Sequence, residues 1–133
     1  MKPLPDVVVV GDSAFMEGIA LSLTESHMAR VDCLDPEIAD IPRYVTGSEP
    51  DLIIYELGSP LSVPILALLY DMPGIQLVGI DLDSDSVFVT NSQECVTRSM
   101  FELHQVFASV ISRIRNPREV RPEPAKRAIS APD

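Results

Sequence analysis

Four consecutive valines, Val7–Val10, stand near the start of the chain with no polar residue among them. A half-exposed strand alternates apolar and polar side chains, and this run does not. It fits a strand buried on both faces, the position found inside a parallel sheet with helices on either side. Gly11 breaks the run, and Asp12 or Ser13 can cap a helix over about Ala14–Thr24. Phe15, Ile19 and Leu23 recur every four residues and form the expected buried stripe of that helix.

The same alternation continues. Val31–Leu34 reads as a second strand. Asp35 and Pro36 read as an N-cap and first turn of a short helix weakened by Pro42 and closed by Gly47 and Pro50. Asp51–Leu57 is a third buried strand. Ser62 can cap a helix with Pro64 in its first turn and Ile65, Leu66, Leu69 and Tyr70 on its apolar face, ended by Met72, Pro73 and Gly74. Ile75–Ile80 is a fourth strand. The order βαβαβαβ implies a three-layer, doubly wound, mainly parallel α/β sheet. The rhythm then changes. Val87–Thr90 is strand-like, but too few residues separate it from Ile80 for a parallel crossover, which needs about a dozen. It must run antiparallel, and Cys95–Thr97 after the loop Asn91–Glu94 extends the hairpin. Ser99 and Glu102 form a capping box for a last helix, with Leu103, Phe107, Val110, Ile111 and Ile114 at helical spacing to about Arg115. The expected organisation is one domain, residues 1–115, and a Pro-rich charged tail, residues 116–133, read as flexible.

Composition narrows the function classes. Apolar residues make up 46% of 133, enough for a core. No secretory leader is visible and no apolar stretch approaches the roughly 20 residues of a membrane span. Cys33 and Cys95 both lie in strand-like segments and are expected to be buried thiols in a reducing compartment, so a cytoplasmic location is expected. Residues 1–112 carry 17 acidic and 4 basic side chains, whereas residues 113–133 carry 3 acidic and 6 basic. An acidic body repels phosphates, so direct nucleic-acid binding is not expected, nor is membrane binding. His27 and His104 have no ligand spacing around them, and no metal or cofactor is expected.

The segment Pro50-Asp51-Leu52-Ile53-Ile54-Tyr55-Glu56-Leu57-Gly58-Ser59-Pro60 resembles the third strand of response-regulator receiver domains. These carry Pro-Asp, four hydrophobic residues, Asp, three residues and Pro. Phe15-Met16-Glu17-Gly18 also resembles the Phe-Arg-Glu-Gly of one receiver subgroup. The similarity covers about residues 6–80 and the final helix. It implies a flavodoxin-like fold whose strand ends would hold Mg²⁺ and a phosphoryl group on the second Asp. Here that position is Glu56, whose extra methylene moves its oxygens by about 1.5 Å. The strand-1 acid pair reads Gly11 and Asp12. The Thr or Ser position falls near Asp81. The phosphate-binding Lys has no equivalent, because the chain has only Lys2 and Lys126. A phosphate placed among Asp12, Glu56 and Asp81 would meet like charge with no cation to offset it.

The resemblance therefore implies a degenerate receiver: a non-catalytic signalling or adaptor module in a two-component or phosphorelay setting. It would act through a protein partner or as a homodimer, not through phosphorylation. Glu56 would either mimic the phosphorylated state or be a solvated acid. The hairpin replaces the fourth helix and the strand-5 region, and Val87, Phe88, Val89 and Phe107 are the expected interface. About 18 residues follow the last helix, too few for a DNA-binding output domain.

Two other chemistries are weighed. Gly11-Asp12-Ser13 resembles the first block of SGNH (GDSL-type) esterases, with Ser13 as nucleophile, but neither histidine has the Asp three residues before it that the base requires. A small-ligand sensor at the carboxyl ends of the strands is the other alternative. Asp81, Asp83 and Asp85 alternate like a Ca²⁺ loop, yet Ser86 and Ser92 stand where an EF-hand needs Gly and Glu, so a polar turn is expected.

Overall fold

The computed structural model describes residues 4–35, 40–58 and 62–115. Its strands are β1 (Asp6–Val10), β2 (Arg30–Leu34), β3 (Leu52–Glu56), β4 (Gln76–Asp81), β5 (Ser86–Thr90) and β6 (Cys95–Ser99). Its helices are α1 (Ala14–Glu25), α2 (Ile41–Ser48), α3 (Ser62–Asp71) and α4 (Leu103–Arg115), the last preceded by a 3₁₀ turn at Met100–Glu102. The strands form one mixed sheet in the order β2-β1-β3-β4-β5-β6. The first four are parallel, and β5 and β6 are antiparallel additions.

The valine run does what its lack of alternation requires. Val7 and Val9 face one core with Leu52, Ile54, Val78 and Ile80. Val8 and Val10 face a second core with Ile53, Tyr55 and Leu77. Helices α1 and α4 close the first, through Met16, Ile19, Leu23, Val106, Phe107, Val110 and Ile111. Helices α2 and α3 close the second, through Ile41, Val45, Ile65 and Leu68. The central strands are thus dry on both sides, and the apolar run follows from that position.

Several expectations need correction. In α1, Met16 replaces Phe15 in the buried stripe, with Ile19, Ala20 and Leu23, while Phe15 is largely exposed. Helix residues three and four apart share a face, so the stripe also takes in positions 16, 20 and 23. In α3, Leu68 is buried and Leu66 is exposed for the same reason; the Tyr70 side chain lies outside the described residues. Asp40, not Asp35, caps α2: its carboxylate accepts from Arg43 N at 3.3 Å. Pro42 then falls in the first turn, where a missing N–H costs nothing. Pro36 lies outside the described residues. Glu49, with φ 50°, supplies the left-handed C-cap that Gly47 was expected to mark. Ser99 caps the 3₁₀ turn, accepting from Phe101 N at 3.2 Å, and Glu102 turns to Arg98 instead of closing a capping box. Cys33 and Cys95 are both exposed. Each sits on an edge strand, β2 or β6, so an apolar neighbourhood in sequence does not bury it. Residues 1–3, the Ser59–Pro60 end of the strand-3 motif and the tail, 116–133, lie outside the described residues.

Gly79 explains how Tyr55 fits beside its paired strand. The two residues are register partners on β4 and β3. A Cβ at Gly79 would lie 3.0 Å from both Cζ and Oη of Tyr55 and 3.4 Å from Leu57 Cδ2. Glycine inside a strand normally costs about 0.5–1 kcal/mol against alanine. Here the order should invert, because the added methyl meets a buried ring. Gly79→Ala should destabilise by about 1–3 kcal/mol in urea unfolding, and Tyr55→Leu in the same chain should recover part of the loss. An unchanged or raised midpoint in Gly79→Ala alone would contradict this packing.

Candidate functional site

The carboxyl ends of parallel strands are where α/β sheets place ligands, since the chain turns outward there and helices begin. In this chain that edge gathers the residues after β1, at the end of β3 and at the end of β4. Gly11 extends the β1–β2 ladder by donating its N–H to Leu34 O at 3.3 Å. A Cβ on it would meet Met16 Cγ at 2.9 Å and Glu56 Oε1 at 3.5 Å. Glu56 therefore lies within van der Waals reach of the end of β1 beside Gly11, while it is Met16 that a larger residue at position 11 would crowd.

The three acids expected to crowd one pocket are used differently. Asp12 is exposed and Glu56 is half-buried. Asp81 folds into its own turn, its Oδ1 accepting from the backbone of Asp83 at 3.0 Å and of Ser84 at 3.4 Å. A hydrogen bond with the Ser84 side chain, and then those two amides, hold its carboxyl below the ordinary value. Among the described residues, no group of three or more His, Cys, Asp and Glu side chains could hold a metal ion. The Asp81–Asp85 stretch thus behaves as a polar turn.

Among the described residues, no ion pair involves Asp12, Glu56 or Asp81; the pairs are Arg30–Asp6, Arg98–Glu102 and Arg113–Glu94. Lys2 and Lys126 lie outside the described residues. A shallow cleft of about 230 Å³ beside Gly11 is lined by Asp12, Glu17, Cys33, Leu34 and Asp35 among others. Partial burial, and then the carboxylates of Asp32 and Glu17, push the Cys33 thiol up, so it is a poor nucleophile near neutrality. Among the described residues lining this cleft, the charged side chains are all carboxylates: Asp12, Glu17 and Asp35.

Ser13 acts as the helix cap: its Oγ accepts from Met16 N at 3.3 Å. No hydrogen bond joins it to an imidazole among the described residues. His27 sits just past α1 in a left-handed conformation, φ 59°. His104 lines an open groove of about 420 Å³ between α1 and α4, with Phe15, Gly18, Leu103 and Phe107.

The expected interface is corrected. Val87 and Val89 are buried in the core beneath α1 and α4, and Phe107, on α4, is buried in the same core. Only Phe88, on the opposite face of β5, is partly accessible. The error comes from strand alternation: hairpin residues 87 and 89 point to the helix side. Sequence reasoning also missed Phe101, fully exposed on the 3₁₀ turn, and the α1–α4 groove. No local pattern distinguishes either from ordinary helix residues.

No protein-family model matches the chain, and no curated protein matches it. Among solved structures, the chain is similar to a cobalamin biosynthesis protein G homolog from Sulfolobus solfataricus, with 16% identity and a TM-score of 0.49. The match covers 96% of this chain and 35% of that one, so this chain spans about a third of its length. A likeness of this size defines neither a family nor an activity. No helix among the described residues is long and apolar enough to cross a membrane.

Proposed function

We propose that this domain is a non-catalytic signalling or adaptor module, a receiver-like fold that does not take up phosphate and acts by binding protein. The observation that carries the reading is the carboxylate of Glu56 lying over Gly11 with no cation paired to it among the described residues. Phosphoryl transfer to a carboxylate needs positive charge placed in advance, because its transition state and product both add anion to an anionic site. The residues at this edge add carboxylates instead. The strand order β2-β1-β3-β4 and the helices on both faces support the receiver-like reading. The β5–β6 hairpin stands where a receiver would place its fourth helix and fifth parallel strand. That replacement changes the surface a partner would meet.

Beryllofluoride with Mg²⁺, which imitates an acyl phosphate, tests the reading by NMR. The amide signals of Gly11, Glu56 and Gly58 should not move. Saturable shifts at those three would overturn it.

A further inference from the structure

Among the described residues, the hairpin that ends the sheet leaves β6 paired on one side only. In an antiparallel ladder, opposed residues alternate between pairs that exchange hydrogen bonds and pairs whose backbone groups point outward. Asn91 N donates to Glu94 O at 3.0 Å, and Met100 N donates to Asp85 O at 2.9 Å. These contacts bracket the β5–β6 ladder and fix its phase. Val89–Val96 and Val87–Arg98 are the bonded pairs, and Thr90–Cys95, Phe88–Thr97 and Ser86–Ser99 are the others. Cys95, Thr97 and Ser99 therefore turn their backbone groups away from β5, toward the open edge.

We propose that this edge pairs with the same edge of a second copy, antiparallel about Thr97, to form one sheet continuous across two molecules. This inference rests on the reading of the domain as a protein-binding module and assigns its partner. Three features favour a second copy over a foreign strand. First, the outward residues are symmetric about Thr97. Thr97 meets its own counterpart and Cys95 meets Ser99, so a twofold arrangement satisfies the outward groups with about six hydrogen bonds. Second, the charge suits self-association. The chain carries 20 acidic residues and a net charge of −10, yet β6 reads Cys-Val-Thr-Arg-Ser with no carboxylate. Its one cation, Arg98, is engaged by Glu102, so two copies meeting here do not press acids together. Third, the side chains are compatible. Val96 would lie against the stem of the opposing Arg98, and small Thr, Cys and Ser side chains meet on the other face.

The opposite edge of the sheet is guarded. Strand β2 carries Arg30 and Asp32, and Tyr44 Oη donates to Asp32 at 2.8 Å across it. Charged, bridged edges discourage pairing; β2 carries two charged residues, whereas β6 carries one, Arg98, already held by Glu102 of its own molecule. A five-residue strand pair buries less than standard interfaces do, so the dimer should be weak, with a Kd of roughly tens to hundreds of micromolar.

The test is sedimentation velocity on the full chain across that range, with two variants. The wild type should pass from monomer to dimer. Thr97→Pro deletes an outward N–H without touching a β5 bond, so it should keep the fold by circular dichroism and remain monomeric. Thr97→Cys, in a chain with Cys33→Ser and Cys95→Ser, should form a disulfide dimer under mild oxidation, because opposed Cα atoms in a bonded pair lie about 5.5 Å apart. A wild type that stays monomeric throughout, or binds an extended peptide at β6 instead, overturns the proposal. A dimer that survives Thr97→Pro and does not cross-link through Thr97→Cys overturns it as well. Beryllofluoride response is independent of all these outcomes: a monomer that ignores it sinks the dimer alone, and a dimer that responds sinks the non-phosphorylating reading alone.

Discussion

Ile54→Ala should lower the unfolding free energy by about 2–5 kcal/mol, the range for deleting a buried isoleucine side chain. Ile54 is 0% exposed at the centre of β3, flanked by β1 and β4, and it packs in the core closed by α1 and α4. Nothing around it can collapse easily, since strands pair it on both sides. A domain of this size has about 5–15 kcal/mol in total, so the change should visibly shift the urea midpoint with little change in slope. Phe101→Ala removes a larger side chain but should cost no more than about 0.5 kcal/mol, because Phe101 is fully exposed. Similar losses in the two variants would mean the core is not where the sheet places it.

Alkaline pH should produce the second large effect. Burial, and then the nearby Cys95 thiolate, push the Tyr55 phenol from its ordinary value near 10 up to about 12. The folded protein thus holds this proton more tightly than the unfolded chain. The resulting stabilisation is complete below about pH 10 and is lost as pH rises through about 12; the full difference corresponds to about 3 kcal/mol. Tyr55→Phe has no proton to lose. Its unfolding free energy should fall less than that of the wild type between pH 9 and pH 12, although other groups titrate in both. Parallel curves would show that the ring is hydrated.

The legible parts of this chain were those set by local chemistry and dryness. Val7–Val10 and Leu52–Tyr55 announce buried strands because no solvent-facing position interrupts them, and the short spacing from Ile80 to Val87 forces an antiparallel turn. The illegible parts depend on where an element sits in the sheet. Cys33 and Cys95 look interior in their segments, but β2 and β6 are edges, a fact that only the strand order supplies. Val87 and Val89 look like an exposed hairpin until α4 is known to lie over them. At the candidate site, Glu56 lies beside Gly11. Position after β4 places Asp81 at the same strand ends, but its carboxylate is taken by the turn amides of Asp83 and Ser84. Side-chain capture by a local turn is invisible in a motif that fixes only residue types and spacing.

Acetyl phosphate treatment with Mg²⁺, followed by intact-mass measurement of the wild type and of Glu56→Asp, bears most directly on the chemistry at the strand ends. Neither protein should gain a phosphoryl group, because a shorter acid brings no cation to strand ends where none is paired with Asp12, Glu56 or Asp81 among the described residues. A wild-type chain that gains one, with the label mapped to Glu56, would contradict the account.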